Sequence, residues 1–131
     1  MKTEIIIIGG GLSGLVTARL LREQTIGFLV VEARNRPGGR ILSEDTSTDT
    51  GGFSAIDLGP SWFWPGQQKI EQLIIDMGLN GAVFQQYHHG HSVIEYASGQ
   101  LEVGQGSASM AGSYRLDGGL GRLTKALSLE L

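Results

Sequence analysis

The sequence predicts an α/β fold that opens on a βαβ unit, and three observations predict it. A β-branched run, Thr3 to Ile8, meets a glycine cluster at Gly9-Gly10-Gly11. Apolar residues then recur at helical spacing, at Leu12, Leu15, Val16, Leu20 and Leu21. Beyond Gly27, a second apolar run of strand length, Phe28 to Val31, follows. Strand, glycine turn, helix and strand within ~30 residues define such a unit, with parallel strands that are expected to be buried.

The rest of the chain changes texture after Arg40. Ser43 to Gly52 is polar and reads as a surface loop, and Ala55 to Leu58 as a short strand. Ile70, Leu73, Ile74 and Met77 give a helix over Gln67 to Met77, with Gly78 as its stop. Strands are expected at Val83 to Gln86, Ser92 to Tyr96 and Gln100 to Val103, the last two joined by a hairpin turn at Ser98-Gly99. Gly104 to Gly112 reads as small and flexible. Leu120, Leu123, Leu127 and Leu131 mark a final helix that meets no stop signal. A sheet of only two parallel strands, together with that unstopped helix, predicts a fold completed by further polypeptide or by a partner chain.

Composition narrows the function classes. The 131 residues suit one modest core, the net charge is -3, and no stretch gathers Lys and Arg, so a nucleic-acid footprint is not expected. Without cysteine there is no disulfide, thiolate metal site or catalytic thiol. The leading Ile5 to Ile8 run is far short of the ~20 apolar residues a membrane span needs, and the cytoplasm is the default compartment. Glycine is the odd count, 21 residues, about twice the usual ~7%. His88, His89 and His91 invite a metal reading, but adjacent strand residues face opposite ways and no second ligand set accompanies them, so no metal is expected.

Gly9-Gly10-Gly11-Leu12-Ser13-Gly14 fits G-x-G-x-x-G. The pattern is weak alone, but here a strand precedes it, a helix follows it, and Glu32 arrives at the end of the second strand. In a Rossmann-type unit Gly9 permits the tight turn, Gly11 lets the backbone approach a pyrophosphate, and Gly14 lets helix and strand pack closely. The helix N-terminus faces the phosphates. Glu32 can accept hydrogen bonds from a ribose diol and argues against a 2′-phosphate. The fingerprint does not choose between FAD and NAD. The alternative reading is a glycine turn without a ligand and a solvated Glu32.

The following segments choose. Glu32-Ala33-Arg34-Asn35-Arg36-Pro37-Gly38-Gly39-Arg40 resembles the E-A-R-x-R-x-G-G-R stretch of the flavin amine oxidase family. Asp57-Leu58-Gly59-Pro60-Ser61-Trp62 is similar to its D-x-G-x-x-W segment, and Gly118-Gly119-Leu120-Gly121-Arg122-Leu123 to its G-G-x-x-x-L. The resemblance runs in order over nearly the whole chain. It implies a two-part division of the larger enzyme. Residues 1–66 would belong to an FAD-binding domain, 67–115 would begin a mixed α+β substrate domain, and 116–131 would return toward the first.

It implies FAD as cofactor. Leu12 and Ser13 would touch the pyrophosphate, in the cofactor-binding turn shaped by Gly9, Gly11 and Gly14, and Glu32 and Ala33 would hold the adenosine ribose region. Arg40 would sit by the phosphates, the paired glycines Gly38 and Gly39 would bring the backbone near the ligand, Arg34 is a further cofactor-binding candidate, and the backbone of Gly59, Pro60, Ser61 and Trp62 would lie along the flavin. Arg34 and Arg36 can equally be solvated loop residues. Phe63 and Trp64 can be a wall of the site or ordinary core. The implied reaction is oxidation of a small-molecule amine to an imine with oxygen as acceptor. The family's catalytic lysine and substrate cage lie in its later part. Lys69 and Lys125 match no motif, so no catalytic residue is assigned. Two other readings stand beside this one: a desaturase or protoporphyrinogen oxidase type of flavoprotein, and a non-catalytic nucleotide-binding fragment.

Overall fold

The computed structural model describes residues 3–46, 55–87, 90–104 and 110–131. Strand β1 (Ile5–Ile8) leads through Gly9 to Gly11 into helix α1 (Leu12–Glu23), and the chain returns as strand β2 (Phe28–Val31). The two strands pair in parallel with Ile5 opposite Phe28 and Ile8 opposite Val31. This is the expected βαβ unit.

Helix α1 covers one face of that sheet. The alternation of a strand then divides the isoleucines: Ile7 is buried, whereas Ile6 is largely exposed and Ile8 is 90% exposed. Leu29 and Val31, opposite Ile6 and Ile8 in the ladder, are exposed too. The expectation of a buried strand is therefore corrected to one covered face. No described element packs on the other.

The terminus of α1 carries a conformational oddity. The N–H of Ile26 reaches the carbonyl of Leu21 and that of Thr25 reaches Arg22, which is a Schellman closure with Thr25 at φ +57°. A β-branched residue in that region is strained. The helix thus closes at Thr25, two residues before Gly27. Helix α2 (Gln68–Asp76) closes the same way, but with the residue type the motif prefers, Gly78 at φ +68°.

Two short strands went unforeseen. β3 (Ser43–Asp45) pairs antiparallel with β4 (Ala55–Asp57), so the start of the expected loop is a strand. Its residues are polar because Ser43 is engaged by its neighbours rather than by an apolar core. The remainder of that loop, 47–54, lies outside the described residues. Strand β5 (Val83–Gln85) follows a 3₁₀ turn at Asn80–Ala82 and pairs with β8 (Tyr114–Leu116), which three residues are too few to announce by period. The hairpin of β6 (Ser92–Glu95) and β7 (Leu101–Gly104) forms as expected around Gly99. The segment read as small and flexible lies outside the described residues at 105–109.

Helix α3 (Gly121–Leu129) completes the core and ends two residues before Leu131. Leu15 of α1, Ile74 of α2, Leu116 of β8, and Leu120, Leu123 and Leu127 at and within α3 form one cluster with Ile41 and Phe63. Arg19 of α1 fastens the helices from outside: it pairs with Glu23 and Asp76 at 3.1 Å and with Glu130 at 3.5 Å. Among the described residues no helix is long and apolar enough to cross a membrane.

Candidate functional site

Within the glycine cluster, Gly14 is packed so tightly that no other residue can replace it. A Cβ on Gly14 would stand 2.0 Å from the carbonyl oxygen of Gly9 and 3.3 Å from a methyl of Ile7. Helix α1 can therefore start directly against β1 only because residue 14 has no side chain. The turn is tied to the sheet by the Gly9 N–H on Val31 and to the following loop by the Gly38 N–H on Gly10, at 2.7 and 2.8 Å. Gly11 and Gly39 touch backbone to backbone.

The first carbonyl used inside α1 is that of Gly11, which accepts from Leu15 at 2.9 Å. No side chain caps this end, and no acidic residue sits in the first turn. The N–H groups of the first turn are thus left for an external acceptor, with the positive end of the helix dipole behind them.

Loop 34–41 forms the facing wall and stitches itself. The guanidinium of Arg36 donates to the carbonyls of Pro37, Gly39 and Ile41, and that of Arg34 donates to Gly39 at 3.2 Å. Arg36 is accordingly a structural residue facing a smaller cavity behind the loop. Arg40 behaves differently. It is exposed, and its guanidinium bonds to no other described residue.

Between the two walls lies a cleft of about 660 Å³. Of the residues predicted for a dinucleotide, it gathers Gly9, Gly11, Leu12, Ser13, Gly14, Arg34, Gly39, Arg40, Pro60 and Trp62. Glu32, Ala33, Gly59 and Ser61 do not line it. Gly59 packs on the Arg40 carbonyl, where a Cβ would stand 2.2 Å from the oxygen, and Ser61 is buried with its hydroxyl donating to Gly59. Gly38, read in the sequence as half of a glycine pair that approaches a ligand, lines the cleft too. Sequence reasoning missed Ile8, Ile41, Gln67, Ile70 and Leu120. The apolar ones carried no signal, because they read as ordinary core.

Phe63 serves both readings offered for it. It is buried, stacks on Tyr114 at 6.0 Å between centroids, and shows an edge to the cleft. Trp62 donates from its indole nitrogen to Gln86 at 3.1 Å and lies beneath Arg115, 5.9 Å from the ring centre. His88 and His89 lie outside the described residues, and among the described ones no group of three His, Cys, Asp or Glu could hold a metal.

Glu32 sits beside the cleft. One carboxylate oxygen accepts the N–H of Arg34 at 2.9 Å and the other that of Gly10 at 2.7 Å. These bonds, the one from Arg34 foremost, hold its pKa below the ordinary glutamate value against a smaller opposing effect of desolvation. A depressed carboxylate contributes stability that is present above its unfolded pKa of ~4.3 and is lost as pH falls through the lower folded value. Glu32→Gln is therefore expected to lower the melting temperature at neutral pH, and the gap to the parent should close on acidification. Melting curves between neutral pH and about pH 3 check this, and a gap that widens toward acid would refute it.

Comparison with known proteins adds to this geometry. Residues 7–76 match the family described as NAD(P)-binding Rossmann-like domain. The chain is 35% identical over 78 residues to amine oxidase B (flavin-containing) of Sus scrofa, covering 60% of this chain and 14% of that protein. It is 32% identical over 112 residues to putrescine oxidase of Kocuria rosea, covering 86% of this chain and 22% of that one. A solved structure of wild-type putrescine oxidase bound to putrescine superposes with a TM-score of 0.64 at 29% identity, over 81% of this chain and 22% of that one. The chain thus spans less than a quarter of the length of the relatives it matches.

Proposed function

The chain belongs to the NAD(P)-binding Rossmann-like domain family and, within it, to the N-terminal portion of the flavin amine oxidases; on that premise we propose that it holds FAD in the cleft between α1 and loop 34–41 and serves the oxidation of an amine. One observation carries the reading. The uncapped N-terminus of a 12-residue helix and the guanidinium of Arg40, unpartnered among the described residues, line one cleft.

That pair suits a diphosphate. The first-turn N–H groups donate to one side of it and Arg40 supplies the compensating cation on the other. Gly11 and Gly39 keep side chains out of the way where the backbones meet. Glu32 is charged at neutral pH, its two backbone donors favour that form further, and it retains lone pairs for a ribose diol. It would repel a 2′-phosphate, which favours FAD over NADP. Pro60 and Trp62 offer a flat apolar surface beyond the diphosphate, toward which an isoalloxazine would extend. When bound, FAD supplies the oxidising chemistry, taking a hydride equivalent from the carbon beside the amine nitrogen and passing the electrons to oxygen to give hydrogen peroxide. The chain's own part is to bind, orient and shield it.

Anaerobic addition of an amine to the FAD-loaded protein tests the activity, with putrescine and cyclohexylamine as probes. The reading predicts bleaching of the flavin band and peroxide on admitting air. Bound flavin that no amine bleaches would count against the amine assignment and leave the cofactor assignment in place.

A further inference from the structure

The carboxylate of Asp57 is fully buried at the end of β4, and its two oxygens face two different elements. Oδ1 accepts from the backbone N–H of Leu120 at 2.9 Å and from the hydroxyl of Ser43 at 2.5 Å. Ser43 Oγ in turn accepts the N–H of Gly121 at 2.8 Å. Helix α3 has no cap of its own. Its first donors are satisfied instead by two side chains from the β3–β4 ladder, where Ser43 and Asp57 are paired residues. The fit is close: a Cβ on Gly119 would meet Ser43 Oγ at 2.4 Å and Asp57 Oδ1 at 2.6 Å.

Oδ2 takes no hydrogen bond among the described residues and faces the Arg115 guanidinium at 3.8 Å. Arg115 lies over the indole of Trp62. Both walls reached in this way belong to the cleft. Leu120, held through Oδ1, and Trp62, held through Arg115, line it together, and the chain running on from Asp57 supplies Pro60.

We propose that Asp57 is the positioning residue of the cofactor cleft, fixing Leu120 and Trp62 relative to one another through its two oxygens without touching the ligand. The inference rests on the reading of the cleft as an FAD site. Asp57→Asn is nearly isosteric, keeps an acceptor for Leu120, and removes the buried charge opposite the half-buried Arg115.

The test compares the 131-residue parent, Asp57→Asn and Arg19→Ala, each at a temperature where circular dichroism shows it folded. Arg19 stabilises the helices from outside the cleft. All three carry Trp64→Phe, so that only Trp62 emits. FAD titration and acrylamide quenching of Trp62 are the two readouts. Asp57→Asn is expected to weaken FAD binding by ~10-fold and to make Trp62 more quenchable, whereas Arg19→Ala leaves both at parent values.

The inference is overturned if Asp57→Asn matches the parent in both readouts, or if Arg19→Ala changes them to the same extent. Should Asp57→Asn not fold, Ser43→Ala, which removes the Asp57 donor and the Gly121 acceptor together, decides in its place. A weaker FAD complex with a more quenchable Trp62 supports the proposal, and parent values overturn it. A parent chain that takes up no FAD would sink the cofactor reading alone, because the Trp62 comparison needs no ligand and still decides the role of Asp57.

Discussion

Gly14→Ala should destabilise the chain by at least ~2 kcal/mol. The added methyl would lie 2.0 Å from the Gly9 carbonyl oxygen, and a nearby Cβ–Ile7 methyl distance of 3.3 Å bars retreat toward the sheet. Packed carbon atoms prefer about 3.5–4.0 Å. Relief therefore requires α1 to move away from β1 by more than an ångström, which opens both the sheet contact and the cleft. The better helix propensity of alanine, worth ~1 kcal/mol, offsets only part of this. Gly81→Ala is the matched control, since a Cβ there meets nothing within 4 Å; it should stay within ~0.5 kcal/mol of the parent. Urea denaturation of the three proteins checks the ordering, and equal midpoints for both variants would contradict the packing described.

Leu127→Ala has the next largest expected effect. Leu127 is fully buried in α3 within the cluster that draws on all three helices. Truncation leaves a cavity that rigid neighbours on three helices cannot close, at a cost of ~2–5 kcal/mol. For a chain of this size that corresponds to a fall in melting temperature of roughly 10 °C or more. Leu129→Ala, two residues on and 79% exposed, removes the same atoms from water-facing surface. It should shift the transition by a degree or two at most, within ~0.5 kcal/mol. Comparable losses at both positions would mean that α3 does not pack as described.

The βαβ unit was legible because each of its signals is local. The isoleucine run, the glycine spacing and the leucine period of α1 need no distant partner to be read. The fingerprint also carried Gly9, Gly11 and Gly14 of the cleft, and the resembling segments carried Gly39, Arg40, Pro60 and Trp62. What escaped depended on tertiary partners. Ser43 reads as loop chemistry until Asp57 and the start of α3 stand against it. β8 is three residues long and becomes a strand through β5. Leu120 and Ile70 look like core in one dimension and turn out to face both the core and the cleft. Burial of β1 was misjudged for a related reason. An unbroken isoleucine run suits a strand covered on both faces, and the described elements cover only the face of Ile7.

Joint binding of the FAD diphosphate by the helix N-terminus and Arg40 is decided by equilibrium titration of the purified chain with FAD. The visible flavin band reports binding, with NAD and NADP as competitors and Arg40→Ala in parallel. Saturable uptake approaching one FAD per chain is expected, with no displacement by NADP and an affinity reduced by ~10-fold or more in Arg40→Ala, the loss of one charge-assisted contact. A chain that leaves FAD free in solution, or that binds it equally well without the Arg40 guanidinium, would contradict it.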